Sequence, residues 1–377
     1  MKFNDTKILI TGKGYIGNYL KIYLNIHESN NVIILKRKDY MNSFNLKKKI
    51  KNVDIIFHNA SSVKKTKSVI EENAIITNKL ITSIDVKSLK VFIHFGSTHE
   101  NLNNYYGISK KECFEKFKIF LKKNKISLLK YTIPNIYGCF YKPYHNSFLS
   151  TLIFEYVKNN NVNSIVDIDL NKNLELVYIN DLISNIFNDL KLFEFDQKKP
   201  TLSIKKISGN NITIGRFLSK VKLLTNKINK NIYNSSSILE KNILNIILSY
   251  QYSLKKNYFL PHIYKDRRGH LYEISKSRGI NHSFLSNSFK NIKRGDHFHT
   301  NKFEIFHILK GEAEIHTKNL IDNTVRKYTL NDNKKSILMI PPFVNHTFIS
   351  KKNNTLALFF SSEIFDILNP DTYNYVK

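Results

Sequence analysis

The sequence predicts an α/β domain built on a doubly wound parallel sheet, followed by an all-β barrel. Three observations predict it. A short apolar run ends in the glycine turn Thr11-Gly12-Lys13-Gly14-Tyr15-Ile16-Gly17, and strand-like and helix-like stretches alternate from there. From about Tyr250 short β-like runs replace that alternation. Further on, His297, His299, Glu304 and His346 stand at spacings that paired strands would bring together. A length of 377 residues suits two cores, placed at 1–247 and 248–377.

Composition narrows the function classes. At 42% hydrophobic and 12% aromatic the chain can bury real cores. The net charge of +29 invites a nucleic-acid partner, but the lysines are scattered through every segment among Asn and Ile. Basic runs such as Lys47-Lys48-Lys49 are short and flanked by Leu46 and Ile50, as on a solvated helix face. We therefore expect no nucleic-acid partner; attraction of an anionic substrate is the simpler use of the charge. No apolar run reaches membrane-span length, and the first residues lack an apolar signal region and cleavage site, so a cytoplasmic protein with no membrane partner is expected. Cys113 and Cys139 are too few for a disulfide framework and read as buried filler in a reducing compartment.

The elements follow in order. Lys7 to Ile10 is the first strand, and the pattern Tyr19-Leu20…Tyr23-Leu24 after the glycines is helical. Strand, glycine turn and helix form the context that lets backbone amides approach a pyrophosphate, which makes Gly12, Gly14, Tyr15, Ile16 and Gly17 cofactor-facing candidates. The second strand, Val32 to Leu35, ends in Lys36-Arg37-Lys38-Asp39. Arg37 and Lys38 favour the 2′-phosphate of NADP, while Asp39 leaves NAD open. The third strand ends in the small residues Asn59, Ala60 and Ser61, which join the cofactor set. A helix through Asn73 to Ile81 leads to the strand Val91 to Phe95, then Gly96-Ser97-Thr98-His99-Glu100.

Tyr106 and Lys110, four apart at the head of the next helix, share a face. A lysine ammonium beside a phenol stabilises phenolate, and a hydroxyl from Ser97 or Thr98 completes a proton-transfer unit. After the glycine turn, this set resembles the extended short-chain dehydrogenase/reductases of the nucleotide-sugar branch. Leu129 to Gly138 is similar to the branch's Arg-x-x-Asn-Val-Tyr-Gly strand, and Leu176 to Asp181 to its Val-Tyr-Ile-Asp-Asp. That resemblance implies a Rossmann-like domain, catalytic Tyr106 and Lys110 with Thr98 and Ser97, and a sugar nucleotide near Asn135, Asn146 and Ser147. Residues 200–245 read as helical, with Ile204 to Ile214 the one extended piece.

In the second domain His297 and His299 project from one strand face, and a turn at Thr300-Asn301-Lys302 folds Glu304 back beside them. Pro341 to His346 brings a third imidazole. Three imidazoles and a carboxylate suit a divalent ion, Zn²⁺ first. His307 has the opposite parity and reads as facing away. The spacing resembles the two cupin motifs, with all four ligand positions filled, and Asp266-Arg267-Arg268-Gly269 resembles the entry of sugar-nucleotide epimerase cupins. Strands are expected at 284–289, 303–309, 312–317, 336–340, 346–350 and 355–360.

An extended reductase followed by a metal cupin, with the segment Asn369-Pro370-Asp371-Thr372-Tyr373, resembles the CapF-type bifunctional enzymes of capsule and O-antigen synthesis. The resemblance implies a cupin that epimerises carbon 3 of a UDP-2-acetamido-2,6-dideoxy-4-keto-hexose. It implies a reductase domain that reduces the 4-ketone with NADPH toward UDP-N-acetyl-L-fucosamine, and a homodimer. Two rivals stand beside it. One is a 4,6-dehydratase, which would need an acid where His99 stands; the other is a cupin that serves only for docking and dimerisation. Three departures from the family pattern are visible: a glycine turn one residue short, Gly96-Ser97-Thr98 for a Ser-Ser strand end, and Pro342-Phe343 for a glycine-containing turn.

Overall fold

The computed structural model describes residues 6–27, 29, 31–162, 168–193, 196, 198–267, 269–275 and 282–375. Arg268, singled out above, and the first five residues lie outside the described residues. In chain order the elements are β1 (Ile8–Ile10), α1 (Tyr15–Ile26), β2 (Val32–Ile34), α2 (Ser43–Ile50), β3 (Ile55–His58), α3 (Ser68–Ile81), β4 (Val91–Ser97), α4 (Tyr105–Lys123), β5 (Ser127–Ile133) and β6 (Asn135–Tyr137). There follow α5 (Phe148–Asn159), β7 (Asn173–Tyr178), α6 (Ile179–Leu192), β8 (Leu202–Lys206), β9 (Asn210–Thr213), α7 (Ile214–Ile228) and α8 (Ile238–Ser253). The remainder is β: β10 (Tyr258–Phe259), β11 (His262–Asp266), β12 (Gly269–Glu273), β13 (His282–Ser288), β14 (Lys293–Phe298), β15 (Glu304–Lys310), β16 (Glu312–Asn319), β17 (Val325–Asn331), β18 (Ile337–Ile340), β19 (Val344–Ser350), β20 (Thr355–Ser361) and β21 (Tyr373–Asn374). The chain divides into two compact units, residues 1–136 with 174–211 and residues 137–173 with 212–377.

The first unit holds a six-stranded sheet in the order β2-β1-β3-β4-β5-β8, parallel throughout. β1 and β3 are buried along their whole length, which is why Ile8 to Ile10 and Ile55 to Phe57 read as apolar runs with no alternation. Leu9, Ile56, Phe92 and Leu128 pack with Leu46 of α2, Leu80 of α3 and Phe117 of α4. On the other face Phe57 stacks on Phe187 of α6, and Phe187 meets Tyr23 of α1. Helices therefore cover both faces. The strand order reverses at β1 and β3, and that switch point opens a crevice at their carboxyl ends.

The second unit pairs two antiparallel sheets, β10-β18-β15-β20-β13 and β17-β16-β19-β14-β21. Phe306, Phe348 and Phe359 meet edge-on between them at centroid distances of 4.6 and 5.5 Å. β17 and β21 were not expected from the sequence: β17 is largely polar and half-exposed, and β21 is two residues long. The expected boundary at 247/248 falls inside α8, which is buried without a break from Asn242 to Tyr252. Both cysteines are buried and free. Among the described residues no helix is long and apolar enough to cross a membrane.

Candidate functional site

The glycine turn lies at the switch point. A Cβ on Gly17 would stand 1.9 Å from the Gly12 carbonyl oxygen, so α1 can close onto β1 only with glycine there. A Cβ on Gly14 would meet nothing within 4 Å, so protein packing does not require that glycine; close approach of a ligand to open backbone would. Gly14 precedes the first turn of α1 with no side-chain cap, and Tyr15, whose ring packs on Tyr19, and Ile16 begin the helix. The turn is held from β3. Asn59 Oδ1 accepts from Gly12 N (3.0 Å) while its Nδ2 donates to Gly12 O (2.9 Å). Thr11 Oγ1 accepts from the amides of Asn59 and Ala60. Ser61 Oγ donates to Ser62 O, and Asn73 of α3 bonds both backbone groups of Ser62 and reaches Ser109 of α4. Asn59 is thus engaged with the glycine turn. Asn73 was not recognised from sequence; the signal was a polar side chain in the buried stripe of Val69, Thr77 and Leu80.

Past β2, Arg37 and Lys38 are exposed in a short 3₁₀ turn. Asp39 is buried and taken: its carboxylate accepts from Lys36 N at 2.6 Å and pairs with Lys49 Nζ at 2.6 Å. Burial opposes the Asp39 charge, but these bonds and the lysines hold its pKa below the usual carboxylate value. A pocket beside it is lined by Lys38, Asp39, Asn45, Lys48 and Lys49.

Tyr106 and Lys110 both lie on α4, capped by Asn104, whose Oδ1 accepts from Gly107 N. Lys110 is buried, and its Nζ donates to Phe95 O of β4 at 2.7 Å. Burial pushes its pKa down, with Glu100 opposing. Ser97 and Thr98 lead into a 3₁₀ turn over Thr98–Asn101. Ser97 Oγ accepts from His99 N (3.2 Å), so it caps that turn. The His99 ring meets the Tyr106 ring edge-on at 5.9 Å. Glu100 points away from solvent: it accepts from Ser97 N and forms a short ion pair with Lys130, both side chains nearly buried.

Asn135 in β6 is exposed, with Nδ2 donating to Glu175 O. In the other unit Asn146 adopts a left-handed backbone conformation and Ser147 caps α5, accepting from Ser150 N.

In the barrel His297, His299, Glu304 and His346 converge, one ligand atom from each lying within 4.8 Å of the others. A bulge at Asp296 (φ +65°) shifts the register so that His297 faces His346 across β14 and β19, rings 4.7 Å apart. Asp296 is itself tied to the residues flanking His346: Asn345 donates to it at 2.9 Å and Thr347 at 3.4 Å. Phe343 holds φ +63° without being glycine, and its N–H donates to His299 O at 2.8 Å. The Pro342-Phe343 turn thus delivers His346 to the cluster. His307 lies outside it, bonded to Ser336 O.

The cluster fits a divalent cation. His299 Nδ1 contacts Asp371 O (2.6 Å) and His346 Nδ1 contacts Val344 O (3.1 Å). Carbonyls only accept, so each Nδ1 carries the proton and each Nε2 presents a lone pair. Those lone pairs face Glu304: His346 Nε2 at 3.1 Å and His299 Nε2 at 3.4 Å. Among the described residues buried His299 Nε2 has no hydrogen-bond partner. Lone pairs aimed at a carboxylate call for a cation between them. Burial and the neighbouring imidazoles push His297 down to about 3, so it too is neutral and able to ligate.

Residues 8–192 match the NAD dependent epimerase/dehydratase family, and residues 264–373 match the Polysaccharide biosynthesis C-terminal domain. The chain is similar to a Pseudomonas aeruginosa protein, UDP-2-acetamido-2,6-beta-L-arabino-hexul-4-ose reductase. The two are 23% identical over 379 residues, which span 97% of this chain and 98% of that one. Its fold is similar to that of the capsular polysaccharide assembling protein CapF from Staphylococcus aureus (TM-score 0.59, 21% identity, 99% of this chain and 100% of that chain). It is also similar to a Thermotoga maritima UDP-glucose 4-epimerase (TM-score 0.55, 15% identity), which matches 66% of this chain over its own full length.

Proposed function

We propose that the chain is a CapF-type capsular polysaccharide synthesis enzyme that processes one UDP-linked 4-keto-6-deoxy-hexosamine at two sites. The cupin inverts carbon 3 of a UDP-2-acetamido-2,6-dideoxy-4-keto-hexose. The reductase domain then converts the 4-ketone to an alcohol with NADPH, giving the L-talose precursor of UDP-N-acetyl-L-fucosamine.

The observation that carries the reductase reading is the placement of Tyr106 and Lys110 one turn apart on α4, with the Tyr106 ring against His99 of the turn that holds Thr98 and in which Glu100 is locked against Lys130. A dehydratase needs a free carboxylate there, and Glu100 is not free. The bound nicotinamide supplies the hydride. Tyr106 gives its phenolic proton to the developing alkoxide at O4, Lys110 stabilises the phenolate left behind, and Thr98 orients the carbonyl oxygen. Ser97, whose hydroxyl oxygen caps the turn, stands beside Thr98 as a second donor. Asp39 is engaged with Lys36 N and Lys49, whereas Arg37 and Lys38 are exposed and suit a 2′-phosphate, which favours NADPH. In the cupin His297, His299, Glu304 and His346 would hold a divalent ion such as Zn²⁺, which supplies positive charge for an enolate developing next to carbon 3.

Two readouts separate the steps. NADPH consumption on a UDP-4-keto-6-deoxy-hexosamine reports reduction, and deuterium exchange at carbon 3 without NADPH reports epimerisation. Tyr106→Phe should abolish the first and leave the second intact. Loss of both would refute the division of labour, and absence of exchange in metal-loaded protein would refute the epimerase role.

A further inference from the structure

The loop 299–302, which carries His299 and turns the chain back toward Glu304, has backbone groups that local structure does not satisfy. A segment about seventy positions later satisfies them. Asp371 Oδ1 accepts from Thr300 N (2.8 Å) and Thr300 Oγ1 (2.6 Å), and its Oδ2 accepts from Asn301 N (2.9 Å) and Lys302 N (3.1 Å). The Asp371 backbone carbonyl receives the Nδ1 proton of His299. Buried Lys302 answers from the loop, donating to Pro370 O at 3.0 Å and Thr372 Oγ1 at 3.2 Å. β21 then pairs along β14, setting Tyr373 beside Phe298 and Asn374 beside His297. The loop carbonyls are met from elsewhere: Asn301 O by Asn245 Nδ2 (2.8 Å) and His299 O by Phe343 N.

From this geometry we infer that Asp371 is a positioning residue for the metal centre, and that the segment 370–374 is a clasp that presets His299 before the ion arrives. One residue performs two tasks. Its side chain gathers three consecutive amides and so fixes the turn between His299 and Glu304. Its backbone carbonyl fixes the His299 tautomer with Nε2 unprotonated. Asp371 itself holds φ +41°, a left-handed conformation unusual for a non-glycine residue, which lets carboxylate and carbonyl face the same loop. A metal-ligating imidazole owes its orientation to the acceptor on its other nitrogen, and loss of such support costs about 10–100-fold in metal affinity.

The inference rests on the four-ligand reading, and the test keeps the two apart. Zinc affinity is measured by competition with a chromophoric chelator, and the visible bands of the cobalt-substituted protein are recorded. Thermal melting of the metal-free protein runs alongside. Asp371→Asn keeps the shape but turns an amide toward the loop N–H groups. It should lower zinc affinity about 10–100-fold and shift the cobalt bands, while His346→Ala abolishes tight binding altogether. If metal-free Asp371→Asn does not fold, Thr300→Val removes one of the same bonds and should lower affinity several-fold. Wild-type affinity and cobalt bands in both variants would overturn the clasp. Wild-type affinity in His346→Ala would overturn the ligand set instead.

Discussion

Gly107 offers the sharpest test of how the reductase constellation is assembled. It follows Tyr106 in the first turn of α4, where an alanine would ordinarily stabilise the helix by about 1 kcal/mol. Here a Cβ would stand 2.1 Å from the carbonyl oxygen of His99 and 2.8 Å from that of Leu102. Both are backbone atoms of the turn that carries Thr98, so no side chain can swing aside. Ordinary contact begins near 3.4 Å, so the turn and the helix must part by roughly 1 Å. Overpacking of that size costs about 1–3 kcal/mol, which matches or exceeds the propensity gain and leaves a net loss of about 0–2 kcal/mol. That loss lowers the melting temperature by up to about 8 °C at about 2–4 °C per kcal/mol. The same displacement moves Tyr106 away from Thr98, and a 1 Å misplacement costs on the order of 100-fold in rate. Gly107→Ala should therefore lower melting modestly and kcat for NADPH consumption about 100-fold, with cofactor affinity little changed. A variant that melts at or above the wild type with kcat intact would refute the docking argument.

Two buried polar features yield further expectations. His58 and His94 stack 5.4 Å apart inside the first unit, and neither ring nitrogen of His94 has a hydrogen-bond partner among the described residues. Burial, with Lys110 nearby, holds both pKa values well below 6.5. Folded protein keeps both neutral while unfolded chain takes up protons below about pH 6.5, so stability present above that pH is lost as pH falls, by about 1.4 kcal/mol per unit per histidine. Urea unfolding of His94→Leu between pH 7 and 5 should show a slope shallower than the wild type by up to about 1.4 kcal/mol per pH unit; an unchanged slope would exclude His94 as a source. Glu100→Gln strands the nearly buried Lys130 ammonium over the Phe114 ring, and calorimetry should record a loss of about 3–5 kcal/mol. A near-neutral result would mean that Glu100 is free for other chemistry.

Much of the architecture is legible in the sequence because it is written locally. A strand buried on both faces reads as a near-continuous apolar run, so Ile8 to Ile10 and Ile55 to Phe57 announce themselves. Gly12 and Gly17 follow from the close approach of helix to strand. Tyr106 and Lys110 share a helix face at four-residue spacing. Three of the four candidate metal ligands lie between positions 297 and 304, where the chain passes from β14 to the start of β15 in the other sheet, and the fourth follows a Pro-Pro turn, so their types and spacings are legible locally. What determines each set is the repeat of its own backbone.

The supporting contacts are another matter. Asp371 lies 72 positions from His299, Asn59 47 from Gly12, Lys130 30 from Glu100, and Asp296 49 from Asn345. Each is a single polar residue with no period, matched to backbone amides or charges that exist only once other elements are in place. Local spacing tells which side chains share a face; it does not tell where an unsatisfied N–H will end up. By itself the sequence determined the two folds, the four-residue spacing of Tyr106 and Lys110 on one helix and the types and spacing of His297, His299, Glu304 and His346. Tertiary structure decided that Glu100 and Asp39 are engaged elsewhere, that Ser97 caps a turn, and that the loop carrying His299 closes on Asp371. In each case the deciding interaction is a hydrogen bond or ion pair between distant segments, and its energy depends on geometry that only the folded chain supplies.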